Sequence, residues 1–237
     1  MADPQSNRFS TYDYADGLAP YTSRPGEEFG CFVACVDACS YGRMGLHSAL
    51  KHLPSMACKK RVVVVSSLDE ALQTTWPYAL NSQIVRCLVV RLPSLTREAL
   101  IALLQLSEMM HYTAVRYHQV VVLSPFDVAS LQPLLTVMGI ANVRIVDARL
   151  SRSALCSAVL SSLDEVMAKG WLLNQELTEH ERSVLRQTLQ FRSVLQQAGM
   201  RQVSVKTVYS QRFSALMKLG VQDVRSLLTL LSPAKKE

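Results

Sequence analysis

The sequence predicts an α/β domain built on a doubly wound, five-stranded parallel sheet, followed by a small all-α domain. Five short apolar runs rich in β-branched residues alternate with amphipathic segments as far as residue 168. No strand signal follows residue 176. The chain has 237 residues, 49% of them hydrophobic, which suits one domain of about 150 residues and a smaller one.

The five predicted strands are short and uniformly apolar. They are Cys31 to Asp37, Arg61 to Val65, Ile84 to Val90, Gln119 to Leu123 and Val143 to Val146. Amphipathic stretches, expected to be helices, lie near 41–53, 68–78, 96–112, 127–138 and 151–168. Apolar strands joined through helices indicate a parallel sheet covered on both faces, because parallel strands require crossover connections.

The chain divides into four expected segments. Residues 1–29 are rich in polar and turn-forming residues and are expected to be a disordered tail. Residues 30–168 form the α/β domain, 169–176 a linker and 177–237 the helical domain. The amino terminus is polar with an early acid, unlike a secretory signal peptide, and no apolar run approaches the roughly 18 residues that span a bilayer. We therefore expect a cytoplasmic protein that does not enter membranes.

The positive charge of the chain is concentrated at its carboxyl end. Residues 1–176 hold 15 Lys and Arg and 15 Asp and Glu, whereas residues 177–237 hold 10 and 4, so the whole formal excess of +6 lies in the last 61 residues. A local basic excess favours a nucleic-acid partner, because each neutralised phosphate releases condensed counterions. Small helical domains are often basic by chance, so charge alone does not establish this partner.

The cysteines raise the question of a metal or redox site. The three-residue gaps between Cys31, Cys35 and Cys39 fall in a strand pattern, not in the tight turns of structural zinc sites. On a strand, Cys31 and Cys35 share a face about 13 Å apart at ~3.3 Å per residue. We expect buried small hydrophobic side chains and no metal or cofactor, with a redox sensor as the alternative. The remaining cysteines are Cys58, Cys87 and Cys156.

The helical domain opens with a capping pattern. Thr178 and Glu181 stand three residues apart ahead of an apolar pair, as in a capping box. Gly199 is expected to end the second helix and Ser204 to cap the third. A last helix is predicted from Asp223 to Leu231. The core face of the third helix is expected to comprise Val208, Leu216 and Leu219.

Two motifs in register mark the carboxyl-terminal domain. They are Leu177-Thr-x-x-Glu-x-x-Val-Leu-Arg186 and Lys206-Thr-Val-Tyr-Ser-Gln211 followed by Ser214-Ala-Leu-Met-Lys-Leu-Gly220. They resemble the LuxR/FixJ-type helix-turn-helix regulators, and within them the RcsB/RcsA group of the Rcs capsule phosphorelay. The stretch Asp37-Ala-Cys-Ser-Tyr-Gly-Arg-Met-Gly-Leu46 resembles the same group. The resemblance implies a receiver-like α/β domain followed by a DNA-binding helix-turn-helix domain.

The helix that supports the motif departs from the family pattern. The family usually has a glycine where Phe191 stands, Glu-Ile-Ala at residues 196–198 and a leucine where Arg201 stands. Either the domain packs differently there or it binds DNA more weakly. An apolar face is still expected from Leu189, Val194, Leu195 and Ala198.

The resemblance also implies a receiver that has lost phosphoryl transfer. Such a domain uses acids after its first strand, an Asp after the third, a Ser or Thr after the fourth and a Lys after the fifth. Here the corresponding strands end at Asp37, Arg91, Ser124 and Asp147-Ala-Arg149. The acceptor and the lysine are missing, and a cation at Arg91 repels the Mg²⁺ that the reaction needs. We expect a degenerate receiver without phosphorylation, with Asp37 and Ser124 as helix caps or relics.

By the same resemblance, the third helix of the carboxyl-terminal domain is expected to lie in the major groove of double-stranded DNA. The matching positions are Lys206, Thr207, Ser210 and Gln211, with Arg212 and Lys218 as phosphate contacts. These residue types suit bases and phosphates, although they also suit a solvated helix face. One short helix reads few bases, so we expect a dimer with itself or with an RcsB-like response regulator. Without phosphorylation, control falls to abundance or to that partner.

Two other classes of function remain. An adaptor or anti-activator would use the altered helix-turn-helix only to bind a regulator protein, an interpretation that Gln197 and Arg201 favour. An α/β enzyme is the weaker interpretation, because the chain has no glycine-rich phosphate loop, no GxSxG motif and only scattered histidines. Small-molecule sensing stays open, since a pocket at the carboxyl ends of the strands leaves no sequence signature.

Overall fold

The computed structural model describes residues 29–51, 59–79, 84–110, 116–140, 143–164 and 176–231. The predicted tail lies outside these residues except for Phe29, which opens the first strand, and the predicted linker lies outside them except for Glu176. Within the described part of the chain, no helix has the length and apolar character needed to cross a membrane.

The described residues contain five strands and nine helices, joined by turns and loops. The strands are β1 (Phe29–Val36), β2 (Lys59–Val65), β3 (Val85–Arg91), β4 (Gln119–Ser124) and β5 (Val143–Asp147). The first five helices are α1 (Ser40–Lys51), α2 (Leu68–Ala79), α3 (Thr96–Glu108), α4 (Val128–Val137) and α5 (Arg152–Asp164). The last four are α6 (Glu179–Leu189), α7 (Val194–Arg201), α8 (Val205–Lys218) and α9 (Val224–Thr229).

The strands form one parallel sheet in the order β2-β1-β3-β4-β5, which confirms the predicted doubly wound α/β architecture. In this order β2 and β3 lie on opposite sides of β1, so the strand order reverses there and the topological switch point lies between β1 and β3. The carboxyl ends of these two strands bring Asp37 and Arg91 together.

Alternation along the strands builds a core on each face of the sheet. Cys31, Val33 and Cys35 of β1 pack on one face with α1 and α5. Phe32 and Ala34 pack on the other face with α2, α3 and α4. The prediction that Cys31 and Cys35 share a buried face is therefore confirmed.

Among the described cysteines, the thiols follow this burial with one exception, and Cys58 lies outside the described residues. Cys31, Cys35, Cys87 and Cys156 are buried, whereas Cys39, beyond the end of β1, is exposed. The expectation of a buried side chain is thus wrong for Cys39, because the strand ends before it. Burial raises the pKa of the Cys35 and Cys87 thiols, which keeps both protonated at neutral pH. No group of His, Cys, Asp or Glu in the described ranges is arranged to hold a metal ion.

The helical part begins with the predicted capping box. Thr178 Oγ1 accepts from the backbone N–H of Glu181 at 3.3 Å, and Glu181 Oε2 accepts from the backbone N–H of Thr178 at 2.7 Å. Ser204 caps α8 as predicted, accepting from the backbone N–H of Thr207 at 3.0 Å. A second capping box at Ser193 and Gln196, not predicted from the sequence, begins α7.

The end of α7 differs from the prediction. The helix does not stop at Gly199 but continues to Arg201, and Gln202 takes the left-handed conformation with φ 54°. The N–H groups of Gln202 and Val203 bond the carbonyls of Gly199 and Ala198 at 3.3 and 3.1 Å. These bonds satisfy the last turn, so the helix needs no glycine at its end.

The helical part packs against α3 of the α/β part. One apolar cluster runs from Leu100 and Leu103 of α3 to Leu185 and Leu189 of α6. Polar contacts border it, with Arg186 Nη2 lying 2.9 Å from Glu108 Oε2. Burial raises the pKa of Glu108 even though Arg186 opposes that shift. Sheet and helices therefore share a continuous core.

Candidate nucleic-acid interface

The helix α8 is held by its apolar side against α6 and α7. Val208 is fully buried and packs with Val184 and Ala198, and Leu216 joins the larger core. The predicted core residues Val208, Leu216 and Leu219 are all buried, which confirms that side of the helix. The opposite side of α8 is thereby fixed toward solvent.

Five exposed residues form what we call the outward face of α8. They recur at helical spacing and are Lys206, Tyr209, Ser210, Phe213 and Met217. Two of them, Lys206 and Ser210, belong to the predicted DNA contacts. The other three are not among the predicted contacts. Steps of three and four residues along the helix from Lys206 lead to each of them, so the sequence pattern could have placed them on this face.

The remaining predicted contacts lie beside this face and are half-buried. Thr207 Oγ1 lies 2.7 Å from Ser204 Oγ at the start of the helix. Gln211 Oε1 accepts from Arg201 Nη1 at 2.8 Å. The guanidinium of Arg212 lies over the ring of Tyr209, 4.9 Å from its centroid. Thr207, Gln211 and Arg212 thus have partners inside the domain.

Lys218 lies at the far end of α8 and is bound to acceptors of the helical part. Its Nζ donates to Glu181 Oε2 at 2.8 Å and to the carbonyl of Glu176 at 2.9 Å. A phosphate contact by Lys218 stays a prediction, and such a contact would replace the bond to Glu181.

Phe191, just before α7, and Gln197, within it, both have specific partners. Phe191 has φ 63°, a conformation that favours glycine, and its ring lies 3.9 Å from the guanidinium of Arg97. Gln197 is fully buried, and its amide donates to Thr188 Oγ1 at 3.1 Å and to the carbonyl of Arg192 at 3.0 Å. The expectation that Leu195 faces the core is wrong, because its side chain is 73% exposed. The supporting helix keeps its place through polar contacts.

The segment of sequence that contains α7 and α8 has no acidic residue. The 40 residues from 183 to 222 contain six Lys or Arg and no Asp or Glu. Of the six, Arg186 and Lys218 pair with Glu108 and Glu181, respectively. The other four form no ion pair with a described residue and are Arg192, Arg201, Lys206 and Arg212. This segment therefore favours a polyanion.

At the carboxyl edge of the sheet, Asp37 and Ser124 form contacts within the protein. Arg91 Nη1 lies 3.4 Å from Asp37 Oδ2, and the backbone N–H of Cys39 donates to Asp37 Oδ1 at 2.8 Å. Asp37 is 5% exposed, so its carboxylate is used within the protein. Ser124 Oγ accepts from the backbone N–H of Phe126 at 2.9 Å. Both side chains therefore organise the turns that follow their strands.

A cavity of about 880 Å³ adjoins the pair of Asp37 and Arg91. Its walls combine the apolar side chains of Leu46, Leu92 and Leu155 with charged ones at the edge of the sheet. The position, outside the carboxyl ends of parallel strands at a switch point, is one where doubly wound proteins bind ligands. The cavity is large enough for a small molecule, so small-molecule sensing, which the sequence leaves open, has a candidate site here.

Several solved structures are similar to this chain. No family model and no curated protein matches the chain. The two-component response regulator RcsB in an RcsB–DNA complex has a TM-score of 0.51 and 24% identity, covering 85% of this chain and 98% of that one. RcsB from Salmonella enterica serovar Typhimurium, bound to a promoter in the presence of the phosphomimetic BeF3⁻, has a TM-score of 0.50 and 22% identity, covering 86% and 100%. These likenesses show that the chain shares the fold of these response regulators over most of its length.

Proposed function

We propose that this protein is a DNA-binding transcriptional regulator whose helix α8 enters the major groove. The observation that carries the proposal is the outward face of α8, which projects Lys206 and Ser210 from a segment that has six cations and no acids. A helix with its amino-terminal residues free to reach base edges, flanked by phosphate-binding cations, suits this role.

The predicted contacts take different parts in this proposal. Lys206 and Ser210 reach base edges or the nearest phosphates, and Arg212 reaches a phosphate beside the groove. Thr207, Gln211 and Lys218 bind DNA only by exchanging a present partner for a DNA group. Removal of Lys206 or Arg212 should therefore weaken binding with little effect on folding.

We further propose that the regulator acts without phosphorylation and as a dimer, either with itself or as the auxiliary partner of an RcsB-like response regulator. Arg91 stands where the acceptor carboxylate would be, and it faces a carboxylate that already caps a turn. Two half-sites supply the specificity that one short helix lacks. On α9 and at its C-cap, the partly exposed Val224, Leu228 and Leu230 offer apolar surface for such a contact. The proposal includes no enzymatic step.

The test is selection of duplexes from a random library by the purified protein, with and without an RcsB-like partner. Wild type should enrich a sequence whose binding weakens with salt, and the pair Lys206→Ala plus Arg212→Ala should lose it. Lys51→Ala, which removes an exposed lysine of α1, is the control and should bind normally. Enrichment only in the presence of the partner would define an auxiliary regulator. No enrichment under either condition would contradict the proposal.

An adaptor that binds a regulator protein without contacting DNA is the second candidate. The three large apolar residues of the outward face, Tyr209, Phe213 and Met217, favour it, because apolar side chains in contact with water often mark protein interfaces. In the same experiment, capture of the partner together with no selected duplex would support the adaptor.

A further inference from the structure

The outward face of α8 is more apolar than contact with phosphates requires. Tyr209, Phe213 and Met217 are 50%, 63% and 57% exposed and follow one another at four-residue intervals. Their neighbours on the same face, Lys206 and Ser210, are polar. The face therefore alternates groups that form hydrogen bonds with bulky apolar groups over three turns of helix.

We propose that Phe213, supported by Tyr209, contacts thymine methyl groups in the major groove and makes the protein select thymine at those positions. This inference rests on the proposed function, since it names the bases that α8 would read. The C5-methyl of thymine is the apolar group among the base edges of that groove, and contact with an apolar side chain is one of the ways in which it is read.

The position of each aromatic ring along α8 supports this assignment. Tyr209 lies in the second turn, and its ring is held under the guanidinium of Arg212 at 4.9 Å. Phe213 follows one turn later on the side that also carries Lys206 and Ser210. A helix that directs Lys206 to the floor of the groove therefore directs Phe213 to the floor as well, because residues seven apart share a face.

The charge around the face favours DNA over an apolar protein partner. Lys206 and Arg212 border the aromatic pair, and neither forms an ion pair within the described residues. A purely apolar partner would have to desolvate these cations without compensation, whereas the phosphates on both sides of the groove neutralise them.

The test uses the duplex selected by the wild-type protein, in which each thymine is replaced in turn by deoxyuridine. This replacement removes the methyl group and keeps the pairing edge. At one or two positions opposite α8, wild type should lose about fourfold in affinity, the value expected for one buried methyl group. Phe213→Ala should bind the thymine duplex more weakly and should bind the thymine and uracil duplexes equally.

Met217→Ala is the matched control, since it removes an equally exposed apolar side chain from the last turn of the same face. It should keep the uracil penalty. Circular dichroism should show that both variants fold, as expected for exposed positions. Tyr209→Ala should reduce the penalty partly.

Selective binding with no uracil penalty at any position would overturn this inference and leave the proposed function standing. A penalty that persists in Phe213→Ala would also overturn it. If Phe213→Ala instead loses capture of a partner protein while the ratio of thymine to uracil affinities is unchanged, the face is a protein interface and the inference fails. Absence of any selective binding by wild type would overturn the proposed function and this inference together.

Discussion

Glu181 joins the start of α6 to two residues of α8 through one buried carboxylate. It accepts from the backbone N–H of Thr178 at 2.7 Å, from Ser214 Oγ at 2.6 Å and from Lys218 Nζ at 2.8 Å. Burial raises the pKa of Glu181, but the bonds from Lys218, Ser214 and Thr178 outweigh this effect, so its pKa lies below the ordinary value of 4.5. The charged form therefore holds α8 against α6.

We predict that Glu181→Gln lowers the free energy of unfolding by about 2 kcal/mol at pH 7, the scale of hydrogen bonds to a charged group. Because the pKa of Glu181 is lower in the folded than in the unfolded protein, its stabilisation is complete above the unfolded value and disappears as pH falls through the folded one. The difference between wild type and variant should thus shrink below about pH 4.5. Urea unfolding at several pH values measures it.

Glu179→Gln in the same turn of α6 is the control, since Glu179 is exposed. It should change stability by less than about 0.5 kcal/mol at every pH. Equal decreases in the two variants, or a decrease in Glu181→Gln that does not change with pH, would contradict this account of α6 and α8.

The sequence predicted well those interactions that join residues close together in the chain. The capping box of Thr178 and Glu181 follows from two side chains three residues apart. The bonds from Ser214 and Lys218 to Glu181 were not predicted, because they join residues 33 and 37 positions away. The prediction for Leu195 failed because apolar character alone does not say which side of a helix faces the core. In α7 the buried side carries Gln197, whose amide donates to the carbonyl of Arg192.

At the scale of elements, β-branched runs were sufficient to predict the sheet. All five strands lie within two residues of their predicted bounds. Short, nearly continuous apolar runs are typical of buried parallel strands and differ from the periodic pattern of the helices. The end of α7 was predicted less well, since backbone bonds from Gln202 and Val203 replaced the expected glycine cap. The sequence predicted which residues stand at the carboxyl ends of the strands. It did not predict that Asp37 pairs with Arg91, because that contact depends on β1 and β3 being neighbours in the sheet.

We predict that the carboxyl edge of the sheet accepts no phosphoryl group. Incubation with acetyl phosphate and Mg²⁺ should leave the intact mass unchanged, because the residue at the end of β3, where the resemblance to receivers places the acceptor, is Arg91, and its guanidinium is paired with Asp37. A phosphorylation-competent response regulator treated in parallel serves as the positive control. Stable addition of a phosphoryl group to an aspartate at this edge would contradict the prediction.

At the scale of the whole molecule, the shared core makes sheet and helices depend on each other. Leu185 of α6 is fully buried in the cluster that includes Leu100 of α3. Arg182 Nη1 adds bonds to Ser107 Oγ at 3.1 Å and to the carbonyl of Met138 at 3.3 Å. These bonds join residues 75 and 44 positions apart, so no local pattern in the sequence predicted them.

We predict that Leu185→Ala lowers the free energy of unfolding by about 3 kcal/mol, the usual cost of a buried leucine truncated to alanine. Hydrogen exchange should then accelerate both in α6 and α8 and in α3, since the side chain of Leu185 belongs to the core that both parts share. Met217→Ala, at an exposed site, should change neither. Faster exchange confined to the helical part would show that the two parts are energetically independent.

The most direct test of the central claim, that the outward face of α8 binds DNA, is the salt dependence of affinity for the selected duplex. In a plot of log affinity against log salt concentration, Lys206→Ala plus Arg212→Ala should have a shallower slope than wild type, by about 0.9 for each phosphate that the variant no longer neutralises. Lys51→Ala should keep the wild-type slope. Equal slopes for all three proteins would contradict the claim and place any DNA-binding surface elsewhere on the molecule.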